Sequence, residues 1–193
     1  MFSKSLTCVL AMVVIAFICA NLSEARIVQN GLISYWTFNE ADIVNKTVKD
    51  IMGKNDATII GDPKIVKGKF GDALEFDGVD DYVNLDPKGG GALNDAINGS
   101  SAVTVEVWVN PNAISDTEYY NNVLTIWMNQ PAWGVSINIE GVDGNKARIG
   151  GRSQETDTWQ DAKGTSAIQK GEWSYIAGIL DFANDKIYVY ISS

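Results

Sequence analysis

Residues 103–109 alternate without a break. Val103, Val105, Val107 and Val109 share one side of an extended chain, and Thr104, Glu106 and Trp108 share the other. A side-chain period of two belongs to a β-strand whose two faces meet different surroundings. Pro111, which has no N–H to give a ladder, ends the run. The same period returns at residues 32–38, at Leu74 and Phe76, at 82–85, and again at 123–127, 134–139, 147–149, 173–180 and 186–191. Val135, Ile137 and Ile139 alternate with Ser136 and Asn138. Trp173, Tyr175, Ala177 and Ile179 share a face of their strand, as Ile187, Val189 and Ile191 do of theirs. Asn184-Asp185 suits a hairpin turn between the last two runs. Gly, Asn and Asp separate the runs and no amphipathic helix stands out, so the expectation is an all-β antiparallel sandwich in one domain.

The N-terminus has a different character. Lys4 precedes an apolar run from Leu6 to Ala20, followed by N-L-S-E-A, the layout of a secretory signal with a small-residue cleavage site. The run is shorter than the roughly 20 apolar residues of a spanning helix. Residues 1–25 are therefore expected to be a signal peptide and residues 26–193 the mature domain, secreted or at the cell surface, with no membrane insertion once the signal is removed. Cys8 and Cys19 both lie inside the signal, so the mature domain has no disulfide of its own. The chain has no histidine, which together with the lack of a mature cysteine excludes Ser-His-Asp and Cys-His nucleophiles and the usual zinc sites. The net charge of −9, with no cluster of Lys and Arg, argues against nucleic acid.

Five segments in order carry a family resemblance: G-L-I-S-Y-W-T-F, V-K-D-I-M-G-K-N-D-A-T, K-G-K-F-G-D-A-L-E-F-D-G-V-D-D-Y-V, T-V-E-V-W-V-N-P and G-E-W-S-Y-I-A-G-I-L-D. Residues 68–83 are the specific part. From about Gly31 onward the chain resembles laminin G-like jelly rolls of the concanavalin A type. The resemblance implies two curved antiparallel sheets packed face to face, as found in secreted adhesion and carbohydrate-recognition modules. In that family the strand matching residues 186–191 normally runs into an Asp-Gly turn, further strands and a closing strand. Here the sequence stops at Ser193, so the jelly roll is expected to lack its C-terminal strands and the chain to be a fragment of a longer protein.

The resemblance also implies calcium at one rim of the sandwich. Calcium takes six to eight oxygens, which clustered carboxylates on turns supply. Asp50, Asn55 and Asp56 surround one turn, and Asp77, Asp80 and Asp81 crowd another. Asp50, Asp80, Asp77 and Asn55 are the expected ligands, set against the plain alternative that Asp simply caps its own turn. The spacing is not that of an EF-hand, because Lys88 stands where the bidentate Glu would be.

Sugar rings pack their C–H faces on aromatic rings while amides and carboxylates fix their hydroxyls. Trp133, Trp159, Tyr119 and Tyr120 lie in loop-like, polar surroundings and are the expected carbohydrate contacts. Trp36, Trp108 and Trp173, on alternating strands, are expected in the core. Retaining β-glucanases on this fold carry two carboxylates as E-x-D-x-x-E, a motif this chain lacks. The reading is a non-catalytic recognition or adhesion module for an extracellular glycan, calcium-assisted. The alternative is a structural or protein–protein interaction module of a larger surface protein.

Overall fold

In the computed structural model the described residues are 30–86, 92–97, 99–117, 121–129, 132–152 and 159–193. Residues 32–193 form one compact unit. The expected signal, Tyr119 and Tyr120 lie outside the described residues.

Among the described residues thirteen strands are formed. They are β1 (Ile43–Val44), β2 (Thr47–Val48), β3 (Ala57–Ile60), β4 (Lys64–Lys67), β5 (Asp72–Glu75), β6 (Tyr82–Asn84), β7 (Ala102–Val109), β8 (Asn121–Asn129), β9 (Ala132–Glu140), β10 (Lys146–Arg152), β11 (Trp159–Ala167), β12 (Ser174–Asp181) and β13 (Lys186–Ser192). One short helix, Ala92–Ile97, precedes β7. The main body is two antiparallel sheets, a three-stranded one in the order β13-β12-β7 and a four-stranded one in the order β11-β10-β9-β8. A smaller sheet, β1-β2-β3-β6, and the hairpin β4-β5 complete the molecule. The architecture is the all-β antiparallel sandwich that the alternation predicts.

The two main sheets meet through the apolar half of each alternation. Val135, Ile137 and Ile139 of β9 and Ala147 and Ile149 of β10 form one buried cluster with Ile176 and Leu180 of β12. Val105, Val107, Val109, Ile187, Val189 and Ile191 pack against it. Each fully buried isoleucine of this set contributes about 1.5–3 kcal/mol. Register fixes which residues take part, because Ile176 lies opposite Val107 on one side and Ile191 on the other. A slip of one residue would turn all three rows outward.

Glycines set the closeness of this contact. A Cβ at Gly178 would overlap Ile149, one at Gly151 would overlap Leu180, and one at Gly164 would overlap Ile191. Each glycine is thus the slot for a branched side chain of the facing sheet.

A second cluster, Val48, Ala57 and Ile59, is covered by Trp36, Phe38, Leu74, Val83 and Leu85. Residues 32–38, expected as the first strand, join it without forming a ladder. The Tyr35 amide donates to Asp50 Oδ1 at 2.8 Å, the Tyr35 carbonyl accepts from the Ile51 amide at 2.9 Å, and Phe38 has a φ of 58°. The side-chain alternation is real, but the backbone partners are a carboxylate and a turn. Strand β11 is the opposite case. It reads W-Q-D-A-K-G-T-S-A, which the sequence places in a loop. It pairs with β10 all the same, because its inward positions are filled by Ala162 and Gly164 under the side chains of the facing sheet.

The slot at Gly178 generates a test. Gly178→Ala should destabilise the domain by about 1–3 kcal/mol, the usual range for overpacking. Combined with Ile149→Ala, it should cost less than the two single changes added together, by more than about 1 kcal/mol. Denaturant melts of the four proteins measure this, and strict additivity would show that the two residues do not share the slot.

Candidate functional site

The period of two that sends Ile137, Ile139 and Ile149 inward sends Ser136, Asn138, Glu140, Arg148 and Gly150 to the outward face of the four-stranded sheet. Arg148 lies opposite Asn138 on one side and Lys163 on the other, and Gly150 lies between Ser136 and Asp161. The result is a polar band across three strands. Arg148 Nε stands 2.8 Å from Asp161 Oδ2 and 3.4 Å from Glu140 Oε1. Lys163 Nζ lies 2.7 Å from Glu140 Oε2 and 3.3 Å from Asp143 Oδ2. Glu140 and Asn138 are each only 2% exposed, whereas Asp161 and Lys163 reach solvent. The buried pair of Glu140 and Arg148 therefore holds two exposed groups in place.

The charges of this band follow from its contacts. The Arg148 hydrogen bond, opposed by partial burial, holds Asp161 below the usual carboxylate range. Hydrogen bonds from Lys163 to Glu140 and Asp143 hold the Lys163 ammonium above the usual lysine range. Both groups stay ionised at neutral pH. Asn138 Nδ2 donates to Ser136 Oγ at 3.0 Å, while Asn138 Oδ1 is buried without a hydrogen-bond partner. Such an orphan acceptor is costly on the floor of a polar face.

Trp159 opens β11 opposite Arg152 rather than sitting in a loop. Its indole lies against Gly150, where a Cβ would overlap the six-membered ring. The absence of a side chain at Gly150, which lies opposite Asp161, makes room for the Nε1–Cε2–Cζ2 edge of the half-buried indole. Trp133 belongs to β9 opposite Met128, and its side chain is outside the described residues.

The acidic turns divide into two different structures. Asp77, Asp80 and Asp81 bring one carboxylate oxygen each to within 4.8 Å of one another. Asp77 Oδ1 accepts from the Val79 amide at 2.8 Å, and Asp81 accepts from the amides of Asp62 at 2.7 Å and Asp77 at 3.0 Å. The Val79 amide is the main reason that Asp77 sits below the ordinary carboxylate range. Asp50 is elsewhere and buried. Its two oxygens accept from the amides of Tyr35, Met52, Lys54 and Asn55 at 2.8–3.2 Å. Four donors fill the lone-pair sites of a carboxylate. Asp50 thus staples its turn, each of its oxygens accepting from two amides. Asn55 is buried beside it, with Nδ2 donating to Ser34 Oγ and its carbonyl accepting from Trp36 Nε1. Neither joins the group at Asp77.

A third constellation went unnoticed in the sequence. Trp108, expected in the core, faces outward from β7, where Phe70 meets it edge-on at 5.5 Å and Tyr175 of β12 at 5.4 Å. The opposite row of β12, Ile176 and Leu180, is the one that enters the core.

An antiparallel β-sandwich with a polar outward face and an acidic turn is the build of a binding module. The family model described as the concanavalin A-like lectin/glucanases superfamily, of laminin G type, matches residues 77–192, more than half of the chain. The chain belongs to this family, whose laminin G-like domains are generally non-catalytic and typically extracellular. Comparison with curated proteins gave no match, and comparison with solved structures gave none. Among the described residues no helix is long and apolar enough to cross a membrane.

Asp50 yields a prediction with a pH signature. Burial alone would raise its pKa, but the four amide donors outweigh burial and the value falls below 3.8. A depressed folded-state value stabilises the fold above the unfolded pKa, and the contribution is lost as pH falls through the folded one. Asp50→Ala should cost about 3 kcal/mol at neutral pH, because it orphans several amides at once. The gap between the variant and the parent should stay level above about pH 5 and shrink below 3.8. Chemical melts across that range measure the gap, and a constant difference down to pH 2 would contradict the staple.

Proposed function

We propose that the chain is a secreted, non-catalytic recognition module that binds carbohydrate on the outward face of the β8–β11 sheet, with calcium at the D-G-V-D-D turn. The observation that carries this reading is the half-buried Trp159 ring packed against Gly150, on the strand face that also carries Asp161 and Lys163. A flat aromatic surface next to fixed hydrogen-bonding groups is what a sugar ring needs, one for its C–H face and the other for its hydroxyls. Glu140 and Arg148 keep Asp161 and Lys163 in one geometry, so little side-chain entropy is lost on binding. Trp133, Tyr119 and Tyr120 remain part of the proposed contact set.

The same electrostatics speak against glycoside hydrolysis. A general acid needs a raised carboxyl pKa, whereas Asp161 is held low by Arg148.

For calcium, the donor set fits. Ca–O distances of about 2.3–2.6 Å place ligand oxygens no more than about 5 Å apart, in keeping with the 4.8 Å limit at Asp77, Asp80 and Asp81. The ion would offset the mutual repulsion of three neighbouring carboxylates and stiffen the turn, with backbone carbonyls and water completing its shell.

Two experiments test these parts separately. On a glycan array, the parent chain should bind at least one sugar class and Trp159→Ala should lose about tenfold or more, roughly the worth of one aromatic stacking contact. Unaltered binding by the variant would clear Trp159 of a role, and an empty array would favour the protein–protein reading. In calorimetry, calcium should give heat and a rise in melting temperature that EDTA reverses and Asp80→Ala abolishes. No heat and no shift would remove the metal.

A further inference from the structure

The outward face of the three-stranded sheet has a chemistry unlike that of the polar band. Trp108 and Tyr175 lie opposite each other across β7 and β12, with their rings at 45°, and Phe70 stands at 81° to Trp108. The three rings form a corner with two nearly perpendicular walls. Glu106 lies one row along on β7, opposite Ala177, which in turn lies opposite Tyr190 of β13. Glu106 and Tyr175 are hydrogen-bonded, and burial together with this carboxylate pushes the Tyr175 hydroxyl up to about 12. Aromatic faces and an exposed carboxylate thus bound a small patch, floored by the methyl group of Ala177.

The corner already holds a cation. Lys69 Nζ sits 5.1 Å from the Trp108 ring centroid, within the roughly 6 Å over which a ring quadrupole attracts an ammonium group. Lys69 and Phe70 are both presented by the Gly68–Gly71 turn, whose ends are tied by the Gly68 amide donating to the Gly71 carbonyl at 3.0 Å. A β-branched or bulky residue at either glycine would disturb the turn. Gly71 has a φ of +64° and lies against Asn39, and a Cβ at Gly68 would press on the Asp72 carbonyl. Phe70 is 72% exposed, a high cost for a phenylalanine, and its ring meets Trp108.

The geometry points to a binding site for a small quaternary ammonium group of the choline type, formed by Phe70, Trp108, Tyr175 and Glu106, in which Lys69 is the resident stand-in. Three features of the corner select this chemistry. Rings at steep angles present π-faces from several sides, which suits a spherical cation better than a flat sugar. Glu106 supplies a formal charge on the same face, and the net charge of −9 favours cations at longer range. A tetraalkylammonium ion is also more weakly hydrated than the lysine ammonium, so it gives up less water on entering the corner and displaces Lys69 at little cost.

The test follows the Trp108 indole signal by NMR while the chain is titrated with choline and, in parallel, with its neutral isostere 3,3-dimethyl-1-butanol. Choline should give a saturable shift at millimolar concentration, with the neutral compound at least about fivefold weaker, which is what a cation–π contribution amounts to. Lys69→Gln should tighten choline by about threefold or more, because it removes the resident cation. Phe70→Ala, at an exposed site that the fold does not need, should weaken it by a similar factor. Equal response to the two compounds would overturn the site in favour of a plain apolar patch. No tightening in Lys69→Gln would overturn the role of Lys69 and with it the proposal. None of these outcomes depends on glycan binding, which is read on the other sheet.

Discussion

The whole arrangement depends on how closely the two main sheets approach, and that distance is set where Ile149 enters the slot above Gly178. Two further pairs, Leu180 with Gly151 and Ile191 with Gly164, repeat the device along the seam. Because protein interiors are close-packed, such pairs fix position as well as register. The consequences extend beyond the core. Side chains on a strand alternate strictly, so seating Ile149 inward forces Arg148 and Gly150 outward, and seating Val107 inward forces Glu106 and Trp108 outward. Both outward faces are thereby specified by the packing between the sheets, before any ligand is considered.

Those two faces solve the same problem differently. On the four-stranded sheet, Glu140 and Arg148 are taken almost wholly out of water, a cost that direct contact offsets only when further partners complete the network. Lys163, Asp161 and Asp143 supply them. Replacing the pair with apolar residues would cost the fold little, but it would release Asp161 and Lys163 from their fixed positions. On the three-stranded sheet the outward row is aromatic, and its polar groups, Glu106 and Lys69, sit at the margin. One face offers a flat ring with fixed hydrogen-bonding partners; the other offers a corner of rings with a charge.

The sequence made the inter-sheet half of this legible and much of the outward half illegible. Residues 103–109 and 135–139 announce their strands because bulky apolar groups occupy every second position. Strand β11 does not, since its inward positions are the small Ala162 and Gly164, filled from across the seam by Ile191 rather than by their own side chains. Trp159 has polar neighbours in sequence that suggest a loop, yet it opens a strand. Residues 32–38 show the converse, an alternation whose backbone bonds go to the Asp50 turn instead of a ladder. The fate of Asp50 is also hidden in one dimension, because a carboxylate in a Gly-Asn-Asp turn looks the same whether it faces an ion or four amides. Trp108 was misplaced for a related reason: alternation shows that it opposes the valines, but not which side of the sheet is covered.

Charge then separates the ligands that these faces can take. The net charge of −9 raises the cost of bringing any polyanion near the surface, and Lys163, a cation of the polar band that reaches solvent, is already engaged by Glu140 and Asp143. On the proposed reading, the band offers a sugar the Trp159 ring and the Asp161 carboxylate as a hydroxyl acceptor. A neutral hexose suits both, whereas a sulfated or uronic chain would oppose Asp161. The glycan reading therefore favours neutral sugars on one sheet, while the same acidity favours cations at the aromatic corner on the other.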